Sequence, residues 1–379
     1  MDINKTKENR NRNTTLDLIR IFACFCVISV HFFLNSGFYN QPVIGNKMFF
    51  WVCIRSFLMI CVPLFAILSG YLEKDKILCK SYFFKIKKVI GIYILASIAV
   101  FIYKNLYLNQ NLSIKKLILG ILSYSMADYA WYTEMYIGLF LLIPFLNKLY
   151  HSLNKKQEKQ CLIIILCFMT SLSGIINVYD FREAGWWFHP LQSNSFQKII
   201  PNWWLGIWPI TYYFIGCYIK DYSIKIKKSL NILCILILTL LYGAYCYWRS
   251  YEASFVWGAW QEWGAFPILM LTVLVFVFFV NINMDNCPRW CKFILKHCSN
   301  ACWGAYLVSY IFDNMFYSKL DAMITDIPLK LSYYFIMVGS VFFCSMALSM
   351  VLLIVYNSLV KVVCILSKSW NFRRNNLFH

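Results

Sequence analysis

Ten stretches of this chain are apolar enough and long enough to cross roughly 30 Å of hydrocarbon: residues 15–36, 49–72, 86–103, 131–149, 160–178, 205–219, 229–248, 265–283, 299–315 and 333–360. Lipid offers a backbone amide no partner, so runs of this length are read as helices that satisfy their own amides. A shorter piece at 117–126 makes an eleventh if it dips into the membrane and returns. Composition agrees: 60% of residues are hydrophobic and 14% charged, outside the range of ordinary soluble domains. The expected fold is all-α and polytopic, a bundle of about ten transmembrane helices, or eleven with the short re-entrant segment. No Gly/Ser linker, low-complexity tract or internal repeat interrupts it, so a single membrane domain is expected.

A formal net charge of +19 suggests a nucleic-acid binder at first sight, but in a membrane protein the side that holds the charge decides its meaning. If ten spans alternate, most of the 36 Lys and Arg residues fall on one side: Lys5, Lys7, Arg10 and Arg12, the loops 74–88, 148–159, 220–228 and 289–296, and the tail from Lys361. Both termini are therefore expected in the cytoplasm, facing anionic membrane lipids, with no nucleic acid as partner. The basic start has no small-residue cleavage site behind it, so the first helix is expected to be retained. Tryptophans gather at the opposite, outer ends. They form either an interfacial belt or, with Trp131, Trp186 and Trp187 as candidates, stacking platforms for a sugar. Most of the 16 cysteines sit inside apolar runs, where a reduced thiol is a small hydrophobe. Cys287, Cys291, His297 and Cys298 cluster without a zinc spacing, so no metal is expected.

The first run, LDLIRIFACFCVISVHFF from Leu16 to Phe33, carries Asp17, Arg20 and His31. Arg20 and His31 are separated by three helical turns plus about 20°, so they share a face and stand roughly 16 Å apart along the axis. Asp17 falls about 40° from His31 on the same face. Ionisable groups inside a span cost on the order of 2.5–3.5 kcal/mol and normally face a protein interior or a watery cavity. Spacing alone leaves two readings open. Either Asp17 and Arg20 are a pair at a helix end and His31 a hydrogen-bonded core histidine, or the stripe carries chemistry.

LDLIR followed by His31 resembles the opening of membrane acyltransferase family 3, whose first helix carries an Arg-x10-His pattern. CVPLFAILSGYL (Cys61 to Leu72) is similar to the family's second-helix signature, and the following YFFKIKKVIGIY to its basic segment. WYTEMYIGLFLLIPFLN (Trp131 to Asn147) resembles its mid-chain tryptophan helix, and NACWGAYLVSY a late stretch, so the resemblance covers nearly the whole chain. Two positions depart from it. Ser309 stands where the family often has histidine, and Lys85 and Lys88 stand where arginines are usual, keeping the charge but not the bidentate geometry.

The resemblance implies an O-acyltransferase that takes an acyl group, usually acetyl from acetyl-CoA, to a hydroxyl of an envelope glycan or lipid-linked sugar, in the cytoplasmic membrane of a bacterium. Arg20, Lys85 and Lys88 would hold the coenzyme A phosphates at the cytoplasmic mouth, with Asp17 paired to Arg20. His31 would be the general base, and Glu134 would orient it or bind the acceptor unless it only serves its helix N-terminus. Direct transfer and an acyl-histidine intermediate both fit. In this reading residues 1–14 and 367–379 are basic cytoplasmic tails and 15–366 the acyltransferase domain. The alternatives are an acyltransferase of the same type that uses succinyl or acts on a small secreted metabolite, and a transporter or flippase of lipid-linked sugars, which commonly shows paired repeats not found here.

Overall fold

A computed structural model describes residues 13–182, 184–188, 197–284 and 286–376, with side chains to residue 365; most of the N-terminal tail and the last three residues lie outside the described residues. Among them the chain is helical, with two isolated β-bridges joining the loop at Pro42 and Val43 to that at Tyr251 and Ser254. The main helices are α1 Thr14–Asn35, α2 Gly45–Leu58, α3 Cys61–Glu73, α4 Ile86–Leu106, α5 Ile114–Leu122, α6 Trp131–Ser152, α7 Lys156–Cys167, α8 Trp208–Tyr222, α9 Lys228–Arg249, α10 Phe266–Val280, α11 Arg289–Met323 and α12 Tyr334–Asn376.

Among the described residues seven helical stretches are long and apolar enough to cross a membrane: Thr14–Asn35, Gly45–Glu73, Lys80–Leu106, Lys156–Ile176, Lys228–Arg249, Ala259–Val280 and Tyr334–Ile365. The runs at 131–149, 205–219 and 299–315 are helical too, as α6, α8 and α11, but do not meet that measure. Helix α8 has 15 residues, and α6 and α11 carry more polar side chains. The piece at 117–126 begins as α5, whose nine residues reach only about 13 Å. The run at 49–72 is bent, because the helix breaks between Leu58 and Cys61. Helix α7 passes into a π-helical turn at Phe168–Leu172.

Helix α1 is the centre of the bundle, packed against α2, α3, α10, α11 and α12. It runs parallel to α11: Arg20 meets Ser299, Cys24 meets the Cys302 carbonyl, and His31 meets Asp313, in rising order along both helices. Helices α3 and α8 touch backbone to backbone. A Cβ at Gly70 would collide with the Tyr213 carbonyl, and one at Gly216 with that of Ile67, the small-residue contact by which helices approach closely in lipid. The tryptophan-helix motif ends in a further anchor. Asn147 donates to the carbonyls of Glu73 and Lys76, both at 2.8 Å, and accepts from the Tyr213 hydroxyl at 2.6 Å, closing the end of α3 against α6 and α8.

Candidate functional site

The ionisable stripe of α1 opens on two adjoining cavities. At the end nearer the N-terminus, Arg20 Nη1 bonds Asp17 Oδ1 at 3.0 Å and donates to Ser299 Oγ at 3.3 Å. Asp17 is buried while Arg20 keeps about a third of its side chain exposed. The guanidinium and Lys88 line one cavity of about 280 Å³, whose other walls include Glu73, Ser69, Tyr136, Trp303 and Tyr306. Trp303 Nε1 and Tyr306 Oη are buried without a hydrogen-bond partner, two unmet donors in the walls of this cavity.

At the other end His31 is buried, and its ring lies 3.8 Å from that of Tyr129, centroid to centroid. Nδ1 stands 3.6 Å from Asp313 Oδ2, the oxygen that accepts the Tyr129 hydroxyl at 2.9 Å. His31 Nδ1 and Asp313 Oδ1 are both buried and make no hydrogen bond. With Nδ1 turned to the carboxylate, Nε2 is left for the cavity of about 170 Å³ that His31 lines with Met59, Trp131, Trp257, Glu262 and Trp263. Val27 and Tyr306 line both cavities. Arg20, Val27 and His31 thus share one helix face, and the two chambers are neighbours along it.

Some residues expected at the site are there and others are elsewhere. Trp131 reaches the His31 cavity, stacked on Trp263 at 5.8 Å and 17°. Lys88 joins Arg20, whereas Lys85 is exposed at the start of α4 and does not line that cavity. Glu134 is exposed in the first turn of α6 and does not line the His31 cavity; the carboxylate facing His31 is Asp313. Trp186 is buried with the Arg249 guanidinium 4.9 Å from its ring, and Trp187 packs on Tyr179. Neither lines the His31 cavity. Asp313 and Tyr129 were not expected. Asp313 carried a usable signal as an ionisable residue inside the apolar stretch AYLVSYIFDNMF. It lies one turn beyond Ser309, whose hydroxyl bonds its own helix at the Tyr306 carbonyl. Tyr129 carried none.

Such an arrangement places a guanidinium and an ammonium at one end of a helix face and an imidazole, with a carboxylate behind it, at the other. A family model described as an acyltransferase domain matches residues 13–353. No curated protein and no solved structure matches the chain.

Proposed function

The chain belongs to membrane acyltransferase family 3, a multi-pass membrane acyltransferase, and from that premise we propose that it moves acetyl from acetyl-CoA to a hydroxyl of a surface or lipid-linked polysaccharide in the cytoplasmic membrane of a bacterium. One observation carries the reading: the Arg20–Lys88 cavity and the His31 cavity adjoin on one face of α1, sharing Val27 and Tyr306. Coenzyme A has phosphates at one end and a thioester at the other, and the face spans roughly 16 Å between its ionisable ends. Arg20 and Lys88 take the phosphates. The unmet donors of Trp303 and Tyr306 suit the amide and thioester carbonyls of the arm.

In the His31 cavity the acceptor hydroxyl gives its proton to the imidazole as its oxygen bonds the acyl carbon. The carbon–sulfur bond then breaks, and the departing thiolate takes the proton. Asp313 lies where it stabilises the positive charge that develops on the ring, and Tyr129 fixes both partners by stacking and hydrogen bonding. Catalytic hydrogen bonds commonly tighten with substrate in place, so 3.6 Å between His31 and Asp313 suits this role. The ten-span topology with cytoplasmic termini belongs to the same proposal. It draws support from the parallel run of α1 and α11, as first and ninth spans require.

Mass spectrometry of envelope glycans from cells with and without the protein tests it. A mass difference of one acetyl group on one glycan is expected. A glycan changed in amount but not in acylation would favour a transporter, and no difference would contradict both.

A further inference from the structure

Arg55 lies in α2, with 0% of its surface exposed, inside a stretch long and apolar enough to span the membrane. Nε donates to the Tyr39 hydroxyl at 3.1 Å, while Nη1 and Nη2 are buried without a hydrogen-bond partner. Among the described residues no carboxylate pairs with it. Aromatic rings surround it instead: Cζ stands 4.4 Å from the ring centroid of Trp257, 4.8 Å from that of Phe255 and 5.8 Å from that of Tyr39.

Ring faces attract the charge but leave the N–H donors unmet, and an unmet donor on a buried charged group is costly. Arg249 shows the contrast. It lies 3.8 Å from the ring of Trp260 and 4.9 Å from that of Trp186, yet its Nη1 also donates to the Val178 carbonyl and the Tyr245 hydroxyl. Arg55 has the rings and one acceptor at Nε, but no acceptor at either Nη.

The surroundings of Arg55 lead to the His31 cavity. Met59, one helical turn along from Arg55, lines that cavity, as do Trp257 and Gln261. The Gln261 Oε1 is itself buried and unmet. Trp257 is half exposed, and its ring both packs on the guanidinium and lines the cavity.

We propose that Arg55 is an anion-binding subsite beside the His31 cavity that takes a phosphate or carboxylate group of the acyl acceptor. The planar guanidinium, with two outward N–H pairs, matches both groups. The inference rests on reading the His31 cavity as the acceptor chamber, but it concerns binding and needs no turnover, so each can fail without the other.

The test titrates the full-length protein in nanodiscs of neutral lipid, with coenzyme A present to saturate the Arg20 end, against glucose 1-phosphate, glucuronate and glucose. At least one charged sugar should bind about tenfold or more tightly than glucose. Preference for the phosphate points to a lipid-phosphate-linked acceptor, and preference for the carboxylate to an acidic sugar in the glycan. Arg55→Lys should keep part of the preference. Arg55→Met should abolish it while leaving coenzyme A affinity unchanged and the melting midpoint no lower, because an apolar isostere relieves an uncompensated buried charge. Equal affinity for the three sugars overturns the proposal. So does a preference that survives Arg55→Met, or a melting midpoint that falls while the preference stays, as a purely structural arginine requires. Failure of both charged sugars to bind at millimolar concentration also overturns it.

Discussion

Asp313→Asn keeps the size and shape of the side chain that faces His31 and removes its charge. If the carboxylate stabilises the imidazolium, acyl transfer should fall on the order of a hundredfold or more, with coenzyme A binding unchanged. Equal activity in a radiolabelled acetyl-transfer assay would reduce Asp313 to a partner of Tyr129. At the opposite end, Arg20→Ala should weaken acetyl-CoA binding, and Lys85→Ala should not, because Lys85 does not line the Arg20 cavity; equilibrium binding to both variants decides it. The ionisable stripe of α1 was legible because helical spacing puts Asp17, Arg20 and His31 on one face. Tyr129 was not, because a tyrosine in a loop before α6 carries no sign that it will stack on a ring from α1. Glu134 was ambiguous from sequence, because an acidic residue at a helix start suits the dipole wherever the helix points.

Close packing at the level of helices explains two motifs that spacing could only label. Gly70 belongs to the second-helix signature because a Cβ there would strike the Tyr213 carbonyl. Gly70→Leu should therefore stop the protein accumulating in membranes, whereas Gly138, with nothing in reach of a Cβ, should tolerate alanine; membrane immunoblots compare the two. Asn147→Ala leaves two carbonyls and the Tyr213 hydroxyl without their partner, a loss of about 2 kcal/mol or more that a lowered melting midpoint would register. Lys74 and Lys159 meet Asp221 at 2.5 and 3.1 Å, tying the ends of α3, α7 and α8. Burial pushes the Asp221 carboxyl up, and hydrogen bonds from both lysines bring it below its ordinary value. A carboxyl lowered on folding adds stability above its unfolded pKa of about 4 and loses it as pH falls through the folded value. The melting difference between wild type and Asp221→Asn should thus be present at pH 7, begin to shrink below about pH 4 and vanish only once pH falls below the lower folded value; a difference unchanged by pH would exclude the ion network. Hydropathy located these helices, but it could not foresee the break after Leu58 or the π-helical turn at Phe168–Leu172, which depend on tertiary contacts.

Across the whole molecule, charge sidedness and the paired cavities make one claim, that an acyl donor enters from the cytoplasm and reacts nearer the outer face. Reporter fusions after His379 should be active only in the cytoplasm, and insertions at Glu252 only outside; the reverse pattern would invert the assigned direction of α1. The overall class was legible because long apolar runs admit few architectures. The number of crossings was harder to read because α6, α8 and α11 mix polar residues or shortness with burial inside the bundle. The most direct measurement of the central claim is the His31→Gln variant, assayed for acetyl-CoA binding as purified protein and for glycan acylation in cells lacking the wild type. Glutamine retains hydrogen bonding but accepts no proton near neutral pH. The account predicts donor binding as in wild type and loss of the acylated glycan; near-normal acylation by a well-expressed His31→Gln protein would contradict it.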